Sequence, residues 1–299
     1  MQSLYAYILS QENDSKQAEI IMLKHFDEVI ELKLSIISLL VELVDYAEKF
    51  YDKGKKKYFP SEEDLNPNRK FINNKIINLI LEDNKLMKEI KRHSAIWLRN
   101  DHDVINKLFV ELYKSELYKK YLDSNNQSLD FDKRFIIDIL NEYILKNKLV
   151  HHIFEERSIY WMDDLPFIAT IIFGNIKDDT DLLCKAVFKD HSDKEFALGL
   201  FRNTINNNKQ YEDIIQRFAT NWDLDRIAVM DQLLLKMAFA EILSMPQLPV
   251  KVSMNEYIEI AKYYSTSKSK LFVNGLLDSF VRDYTKQGKI NKEGRGLVQ

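Results

Sequence analysis

The feature that most constrains the fold is a long amphipathic segment in a chain with very few helix breakers. Between about residues 17 and 51, apolar side chains recur at the spacing of one helix face, as at Ile30, Leu34, Ile37, Val41 and Val44. The 299 residues include 7 glycines and 5 prolines, while 45% of them are hydrophobic. This combination predicts an all-α protein built from helical bundles.

Further helices are predicted along the N-terminal half. Helical spacing extends from about residue 68 to 92 and from 105 to 122, and a loop rich in turn-forming residues follows at 123–128. Pro60 and Pro67 bracket a polar connection. The lysine-rich residues 53–57 before it fit the solvated C-terminal end of a helix better than a phosphate site, because the helix dipole favours cations there.

Charge and composition limit the possible functions. The net charge of −3 provides no general attraction to nucleic acid, so RNA binding would need a local basic patch or a partner. The single cysteine, Cys184, excludes an internal disulfide and suits a reducing compartment. The N-terminal residues lack a signal-peptide pattern, and no uncharged apolar run approaches the ~18 residues of a membrane span. We therefore expect a cytoplasmic protein that does not contact a membrane.

No group of residues indicates catalysis. His151 and His152, with Glu155 and Glu156, offer metal ligands at short spacing, but adjacent histidines point in different directions on a helix and no third-ligand motif is evident. Cys184 lacks a recognisable nucleophile context. We predict a protein that is not an enzyme and that uses no metal, cofactor or small-molecule substrate.

A weak internal repeat relates two segments of the chain. A shift of 61 positions lays the segment from Asp132 onto the segment from Asp193 without a gap. Identical residues then coincide at Phe135 and Phe196, Ile144 and Ile205, Ile153 and Ile214, Trp161 and Trp222, and Asp164 and Asp225. Either a duplication or shared helical periodicity explains these matches. A duplication would make the N-terminal region a degenerate, architectural copy of the C-terminal bundle.

In the C-terminal third, a helix opened by Asp223 or Asp225 is predicted to run to about Leu243. Apolar residues occupy most of its circumference, as expected for the middle helix of a bundle. Pro246 and Pro249 then force an extended link.

The next helix is predicted to begin at Ser253 and to end near Tyr264. Residues 253–256 (SMNE) have the spacing of a capping box, and Val252 and Tyr257 are placed as a hydrophobic staple. Glu256 is therefore interpreted as a structural residue.

The last helix is predicted to follow a polar loop at 265–267. Lys268 and Lys270 lie beside the exposed amides of its first turn, and Phe272 lies at the edge of its buried stripe. Cations, amides and an aromatic ring can together hold phosphate and stack a base, although a helix start capped by serines explains this segment equally well. Gly275 is expected to permit close helix packing.

Five motifs in order resemble the C-terminal bundle of the NusB family of transcription antitermination factors. They occur at residues 225–231 (DRIAVMD), 238–243 (AFAEIL), 249–256 (PVKVSMNE), 258–262 (IEIAK) and 268–278 (KSKLFVNGLLD). The resemblance covers about residues 196–284. It implies an all-helical fold and a noncatalytic activity: binding of the boxA element of ribosomal RNA leaders together with the ribosomal protein NusE, in a complex that helps RNA polymerase resist termination.

The resemblance also implies roles for single residues. Five match family positions that approach RNA: Gln2, Lys268, Lys270, Phe272 and Asn274. Two match family positions at the interface with the ribosomal protein: Tyr5 and Asp231. Ordinary helix packing is the alternative for Tyr5, and a solvated interruption of a buried helix is the alternative for Asp231. Three further polar residues are expected to be structural. Glu241 is expected to form an ion pair at a helix end, and Asn255 and Glu256 are expected to cap a helix.

The chain departs from the family pattern in two places. Family members begin with an arginine-rich arm, whereas residues 1–6 (MQSLYA) resemble the middle of the first family helix, so either upstream residues are missing or other surfaces bind RNA. The segment at about 10–190 is also much longer than the one that family members have between their first helix and their second helical bundle. We predict an N-terminal helical region at 1–190, a NusB-like RNA- and protein-binding bundle at 191–288 and a flexible tail at 289–299. The alternative function is a helical scaffold that binds the ribosomal protein without recognising RNA.

Overall fold

The computed structural model describes residues 1–10, 14–98, 103–178, 191–219, 224–266 and 268–297. These residues contain no β-strand, so the all-α prediction is confirmed. None of the helices they form is long and apolar enough to cross a membrane. In chain order the α-helices are α1 (Gln2–Ser10), α2 (Ser15–Lys55), α3 (Glu62–Leu65), α4 (Lys75–Glu82), α5 (Asn84–His93), α6 (Ala95–Leu98), α7 (Asp103–Lys114), α8 (Glu116–Asp123), α9 (Leu129–Ile139), α10 (Lys148–Arg157), α11 (Trp161–Lys177), α12 (His191–Asn206), α13 (Asn208–Phe218), α14 (Val229–Ser244), α15 (Val250–Tyr264) and α16 (Ser269–Lys286).

Two compact units divide the chain. Unit 1 comprises Met1–Lys24 and Phe188–Gln299, and unit 2 comprises His25–Val187. The sequence-based division assigned residues 1–24 to the N-terminal region, whereas they pack within unit 1 together with the C-terminal helices. Whether the predicted ranges act as separate functional domains stays a prediction.

Unit 2 has its own apolar core. The side chains of Trp97, Phe109, Phe154 and Trp161 are fully buried, and the Phe154 ring packs edge-on against both tryptophans, with ring centroids 5.6 and 5.5 Å apart. The central segment of α2 is buried over successive turns, which is why the longest amphipathic pattern of the sequence belongs to this core. The predicted helix at 17–51 is confirmed, with four more residues at its C-terminal end.

Two other predicted helices of unit 2 are each interrupted by a capping residue. The predicted start at residue 68 was wrong, because residues 68–74 are not helical and α4 begins at Lys75 after the cap Asn74. Asp83 then accepts hydrogen bonds from the backbone N–H groups of Lys85 and Leu86 at 2.9 and 3.0 Å, so the rest of the predicted segment is divided into α4 and α5. Ser115 accepts from the N–H of Tyr118 at 3.1 Å and divides the segment predicted at 105–122 into α7 and α8. Periodicity did not reveal these breaks, because a short polar side chain competes for backbone amides without disturbing the apolar spacing.

Unit 1 is arranged around α14. Helices α1, α12, α13, α15 and α16 all pack against it, and it is buried around most of its circumference, which confirms the prediction of a middle helix. The predicted cap was wrong. The helix begins at Val229, and the residue at its N-cap position, Ala228, makes no side-chain capping hydrogen bond. Asp225 lies in a separate 3-10 turn. Asp223 lies outside the described residues.

The predicted start of α15 was also wrong. Pro249 stands at the N-cap position with φ −62° and ψ 138°, and the helix begins at Val250. The N–H of Ser253 already donates to the carbonyl oxygen of Pro249 at 3.2 Å, and Ser253 is fully buried, so it cannot cap the helix. Proline supplies a pre-set φ at this position, which begins the helix one turn before the capping-box spacing suggested.

Two contacts of unit 1 differ from simple sequence expectations. The hydroxyl of Tyr257 donates to the carboxylate of Glu241 at 2.7 Å in the core, where an ion pair was expected for Glu241. In the segment predicted as a tail, Nζ of Lys292 donates to the carbonyl oxygen of Met245 at 2.9 Å, and the N–H of Glu293 donates to that of Pro246 at 3.0 Å.

Candidate nucleic-acid interface

Most of the predicted RNA-contacting residues lie where α15 ends and α16 begins. Lys268 and Lys270 flank the first residue of α16 and are exposed, and Phe272 is half-buried one turn further on. Asn274 is half-buried as well and lines a groove of about 630 Å³ between α15 and α16, together with Asn255. The partial exposure predicted for Phe272 from its position at the stripe edge is confirmed.

A buried hydrogen-bond network fixes this junction. Asp231, in the first turn of α14, is 5% exposed. Its carboxylate accepts from the hydroxyls of Ser265 and Ser269, the latter at 2.7 Å. The Ser269 oxygen in turn accepts from the N–H of Thr266 at 3.2 Å, and the Thr266 and Ser269 hydroxyl oxygens are 2.8 Å apart. Each hydroxyl carries one proton, so the carboxylate is what orients both serines.

The network makes Asp231 a positioning residue for the start of α16. Its carboxylate is turned into unit 1, and both of its oxygens are occupied by serine hydroxyls. The partners lie 34 and 38 positions away in the chain, in the loop and first turn that carry Lys268 and Lys270. A direct contact of Asp231 with a protein partner, which the resemblance implied, stays a prediction. The alternative of a solvated Asp231 is wrong, since the residue is buried.

The lysines of the junction are electrostatically unopposed. Among the described residues, neither the Lys268 nor the Lys270 ammonium group forms an ion pair or a side-chain hydrogen bond, and both are exposed. Lys262, by contrast, pairs with Glu259 on its own helix. Free ammonium groups beside the amides of a helix N-terminus attract anions.

Two exposed apolar side chains of the junction were not predicted. Tyr263 is 82% exposed and Leu271 is 75% exposed. The buried residues of α15 include Tyr257 and Ala261, and at 100° per residue Tyr263 lies well away from that face, so periodicity contained the signal for its exposure. Tyr263, Lys268, Lys270, Leu271 and Phe272 together are called the α16 patch below. Two aromatic rings and two free cations are the side chains that single-stranded RNA prefers.

The remaining predicted residues lie on α1. Gln2 and Tyr5 are both half-buried, and Leu4 between them is buried where α1 packs against α14. The structure thus groups four of the five predicted RNA residues on the start of α16, while Gln2 and Tyr5 belong to another helix of the same unit.

Two other sequence expectations can be compared with the structure. Nε2 of His151 lies 2.5 Å from the carbonyl oxygen of Leu145, while Nε2 of His152 lies 3.3 Å from Glu156, so the two rings point to different partners. Cys184 lies outside the described residues. The packing role expected for Gly275 is wrong, because a Cβ placed there would meet no atom within 4 Å.

Comparisons with known proteins point to one family. The model of the NusB family matches residues 174–282. The chain is 46% identical over 110 residues to the transcription antitermination protein NusB of Salinibacter ruber, a match that spans 37% of this chain and 69% of the relative. It is 39% identical over 127 residues to the protein of the same name from Chloroherpeton thalassium, which spans 41% of this chain and 60% of that relative.

A third relative agrees with these two. The transcription antitermination protein NusB of Alkaliphilus oremlandii is 38% identical over 92 residues, which span 31% of this chain and 67% of the relative. No solved structure matches the chain significantly. The matched family region contains α12 to α15 and most of α16, and therefore the Asp231 network and the α16 patch. On this evidence the chain belongs to the NusB family.

Proposed function

We propose that the protein is a noncatalytic transcription antitermination factor that binds boxA-type RNA of ribosomal RNA leaders together with the ribosomal protein NusE. In this proposal the α16 patch contacts the RNA strand, and the resulting complex acts on RNA polymerase. The observation that carries the proposal is the unopposed pair Lys268 and Lys270 beside the half-buried Phe272, within the region that matches the family.

The chemistry of the patch supports single-stranded RNA as its ligand. The two ammonium groups can each neutralise a phosphate, and the rings of Phe272 and Tyr263 offer faces or edges on which bases can stack. Gln2 and Asn274 would add amide contacts. The net charge of −3 gives the chain no general attraction to RNA, so affinity has to come from such a local patch or from the protein partner.

The protein partner is proposed to contact the surface around α1, with Tyr5 as a contact residue. Since the Asp231 carboxylate is occupied by Ser265 and Ser269, its proposed contribution is to hold the junction in shape for partner and RNA alike. A neighbouring half-buried tyrosine fits such an interface, because tyrosine supplies a large contact area at little entropic cost.

The test is fluorescence anisotropy of a labelled boxA-like RNA titrated with the full chain, with and without NusE, over a series of salt concentrations. A double variant Lys268→Gln/Lys270→Gln should bind at least tenfold more weakly. Its log–log salt slope should be shallower by about 1.4, because each lost phosphate contact on a single strand removes about 0.7. Lys286→Gln, about 24 Å along the same helix at 1.5 Å per residue, is the matched control and should bind as the parent does.

Phe272→Ala sharpens the same test. It should weaken binding of the boxA-like RNA while the helical melting transition is retained. Equal RNA affinity of the parent and the double lysine variant would contradict the proposal. Binding of NusE that is insensitive to salt and needs no RNA would instead favour the scaffold function.

A further inference from the structure

Unit 2 contains a polar cavity of about 450 Å³ that lies outside the region matched by the NusB family model. Two loops form it: the turn that precedes α4 and the loop between α8 and α9. Its lining includes two lysines, Lys70 and Lys75, and the amide side chains of Asn73, Asn125 and Gln127. Such a volume falls in the range of small-ligand sites.

The ammonium group of Lys70 is held in the cavity wall without a carboxylate partner. Its Nζ donates to the carbonyl oxygens of Tyr121 and Ser124 at 2.9 and 2.6 Å, and it lies 4.7 Å from the ring centroid of Tyr121. Burial lowers the pKa of Lys70, and the nearby Asp132 acts in the opposite direction. Nζ also lies 4.9 Å from the ring centroid of Phe131. Since an ammonium has three N–H donors, the third N–H of Lys70 is bonded to no oxygen of the described residues.

Lys75 adds a second cation to the same wall. Its Nζ donates to the carbonyl oxygen of Gln127 at 2.6 Å, which leaves two N–H donors. Among the described residues, no ion pair involves either Lys70 or Lys75. The side chains of Asn73, Asn125 and Gln127 likewise have no hydrogen bond in the described part of the chain, so three amide donors are also available.

The one acidic residue in the lining, Asp132, offsets only part of the positive charge of the two lysines. Asp132 is buried; its Oδ1 accepts from the hydroxyl of Tyr121 at 2.7 Å and its Oδ2 accepts from the N–H of Lys75 at 3.1 Å. Both oxygens are therefore committed to the scaffold. The lining retains a net positive charge together with free N–H donors, which is what an oxyanion requires.

The helix N-terminus behind the cavity is already satisfied. The first amides of α4 are bonded to Asp132 and to the side chain of Asn74, which accepts from Ile76 and Ile77 at 2.9 and 3.4 Å. The ring of Tyr121 is already stacked on two other rings, with centroid distances of 3.6 Å to Phe135 and 5.4 Å to Phe131. Neither helix-dipole binding nor base stacking is available, so recognition falls to the lysines and amides.

We propose that this cavity is a phosphate-binding site, with Lys70 and Lys75 as its cations and Asn73, Asn125 and Gln127 as further donors. The phosphate can belong to a free nucleotide, as a monoester with nearly two negative charges, or to an RNA strand, as a diester with one; both present non-bridging oxygens that accept hydrogen bonds. The site lies wholly in unit 2 and does not depend on the proposed antitermination function.

The test is titration of the isotope-labelled full chain with adenosine 5′-monophosphate, followed by ¹H–¹⁵N correlation NMR. The amide signals of residues 73–75 and 124–127 should shift, and adenosine without phosphate should leave them unchanged. Lys75→Gln should weaken binding at least tenfold, whereas Lys88→Gln, an exposed lysine of the same unit outside the cavity, should bind as the parent does. Lys70→Gln should abolish the shifts, and a thermal melt shows whether it folds.

The outcomes separate this site from the α16 patch and identify the source of the phosphate. Equal binding of the Lys75→Gln and Lys88→Gln variants, shifts caused by adenosine alone, or shifts confined to residues near Lys268 would each overturn the proposal. A short single-stranded RNA that binds the cavity more tightly than the nucleotide would assign the phosphate to a strand. Equal affinities would assign it to a free nucleotide, and the Lys268→Gln/Lys270→Gln variant should leave either result unchanged.

Discussion

Two regions of the molecule, residues 129–157 in unit 2 and residues 191–218 in unit 1, form helix pairs whose buried side chains match in part: the buried Phe135 and Ile144 correspond to the half-buried Phe196 and Ile205. At the shift of 61 positions, α10 corresponds to most of α13. At the same shift, α9 and the π-helical turn that extends it, Leu140–Leu145, correspond to α12. Buried residues coincide at this shift: Ile139 and Leu200, Leu140 and Phe201, Val150 and Tyr211, Ile153 and Ile214, Phe154 and Ile215. Both a duplication and shared helical periodicity explain this partial agreement, so the duplication stays a prediction.

The helix that follows each region differs in burial: α11 follows the pair in unit 2 and α14 follows the pair in unit 1. In unit 2, three residues separate the end of α10 from the start of α11 at Trp161, and 6 of the 17 residues of α11 are buried. In unit 1, ten residues separate the end of α13 from the start of α14, and 11 of the 16 residues of α14 are buried. α14 is covered by α15 and α16 as well as by the helix pair, so similar local patterns acquire different burial from the helices around them.

The same contrast appears in the first turns of these two helices. Asp231 of α14 accepts two serine hydroxyls from the junction before α16. Asp164 of α11 is half-buried near Asp163 and Glu28; burial and then these like charges raise its pKa to about 6. A buried carboxylate in the first turn of such a helix stabilises the fold when hydroxyl groups donate hydrogen bonds to it, and it destabilises the fold when it is buried beside like charges.

Large-to-small substitutions at one pair of equivalent core positions should have the largest effect. Phe154→Ala is expected to cost about 4 kcal/mol and Ile215→Ala about 3 kcal/mol, because each leaves a cavity in a closed core. Amide hydrogen exchange should show the loss of protection in unit 2 for the first variant and in unit 1 for the second. Equal losses in both units for either variant would mean that they do not unfold separately.

Removal of the Asp231 carboxylate should have the next largest effect. Asp231→Ala is expected to lower the free energy of unfolding of unit 1 by about 2 kcal/mol, because Ser265 and Ser269 lose a charged acceptor. Hydrogen exchange at residues 265–270 should accelerate, and RNA affinity should fall with it. Asp231→Asn retains one acceptor and should lose less. Unchanged exchange at the junction in Asp231→Ala would contradict the positioning role.

Substitution of Asp164 should have the opposite sign. With a folded pKa of about 6 against an unfolded value of 3.8, the folded state binds the extra proton between these pH values, so the parent gains stability as the pH falls through this window. Asp164→Asn should therefore stabilise the protein above pH 6, by about 1 kcal/mol after allowance for solvent screening, and the gain should vanish below pH 4. Urea unfolding at pH 7.5 and 4 measures it; a gain that does not depend on pH would refute the charge argument.

Glycine substitutions should have the smallest effect. Gly275 in α16 has open space where a Cβ would be, whereas a Cβ on Gly199 in α12 would lie 3.1 Å from Cε of Met245. Gly275→Ala should stabilise unit 1 by about 0.5–1 kcal/mol, because alanine loses less entropy in a helix. Gly199→Ala should give a smaller gain or a loss. Thermal unfolding compares the two, and destabilisation by Gly275→Ala would restore the packing role expected from the sequence.

The sequence by itself determined the helical content, the middle position of α14 and the buried stripe of α16, in which Val273, Leu277 and Phe280 are fully buried and Phe272 is half-buried as predicted. These features follow from the period of apolar residues, which depends on neighbours in the chain. Motifs within the same helices also determined the family.

The tertiary structure alone decided what Asp231 bonds to. The start of α15 after Pro249 and the helix breaks at Asp83 and Ser115 depend on local capping, which the apolar period does not reveal. Capping residues and buried carboxylates choose among several possible donors, and the donors that bind Asp231 lie 34 and 38 positions away. Periodicity contains no information about such distant partners. The orientation of the Asp231 carboxylate therefore depends on how the helices of unit 1 pack around α14.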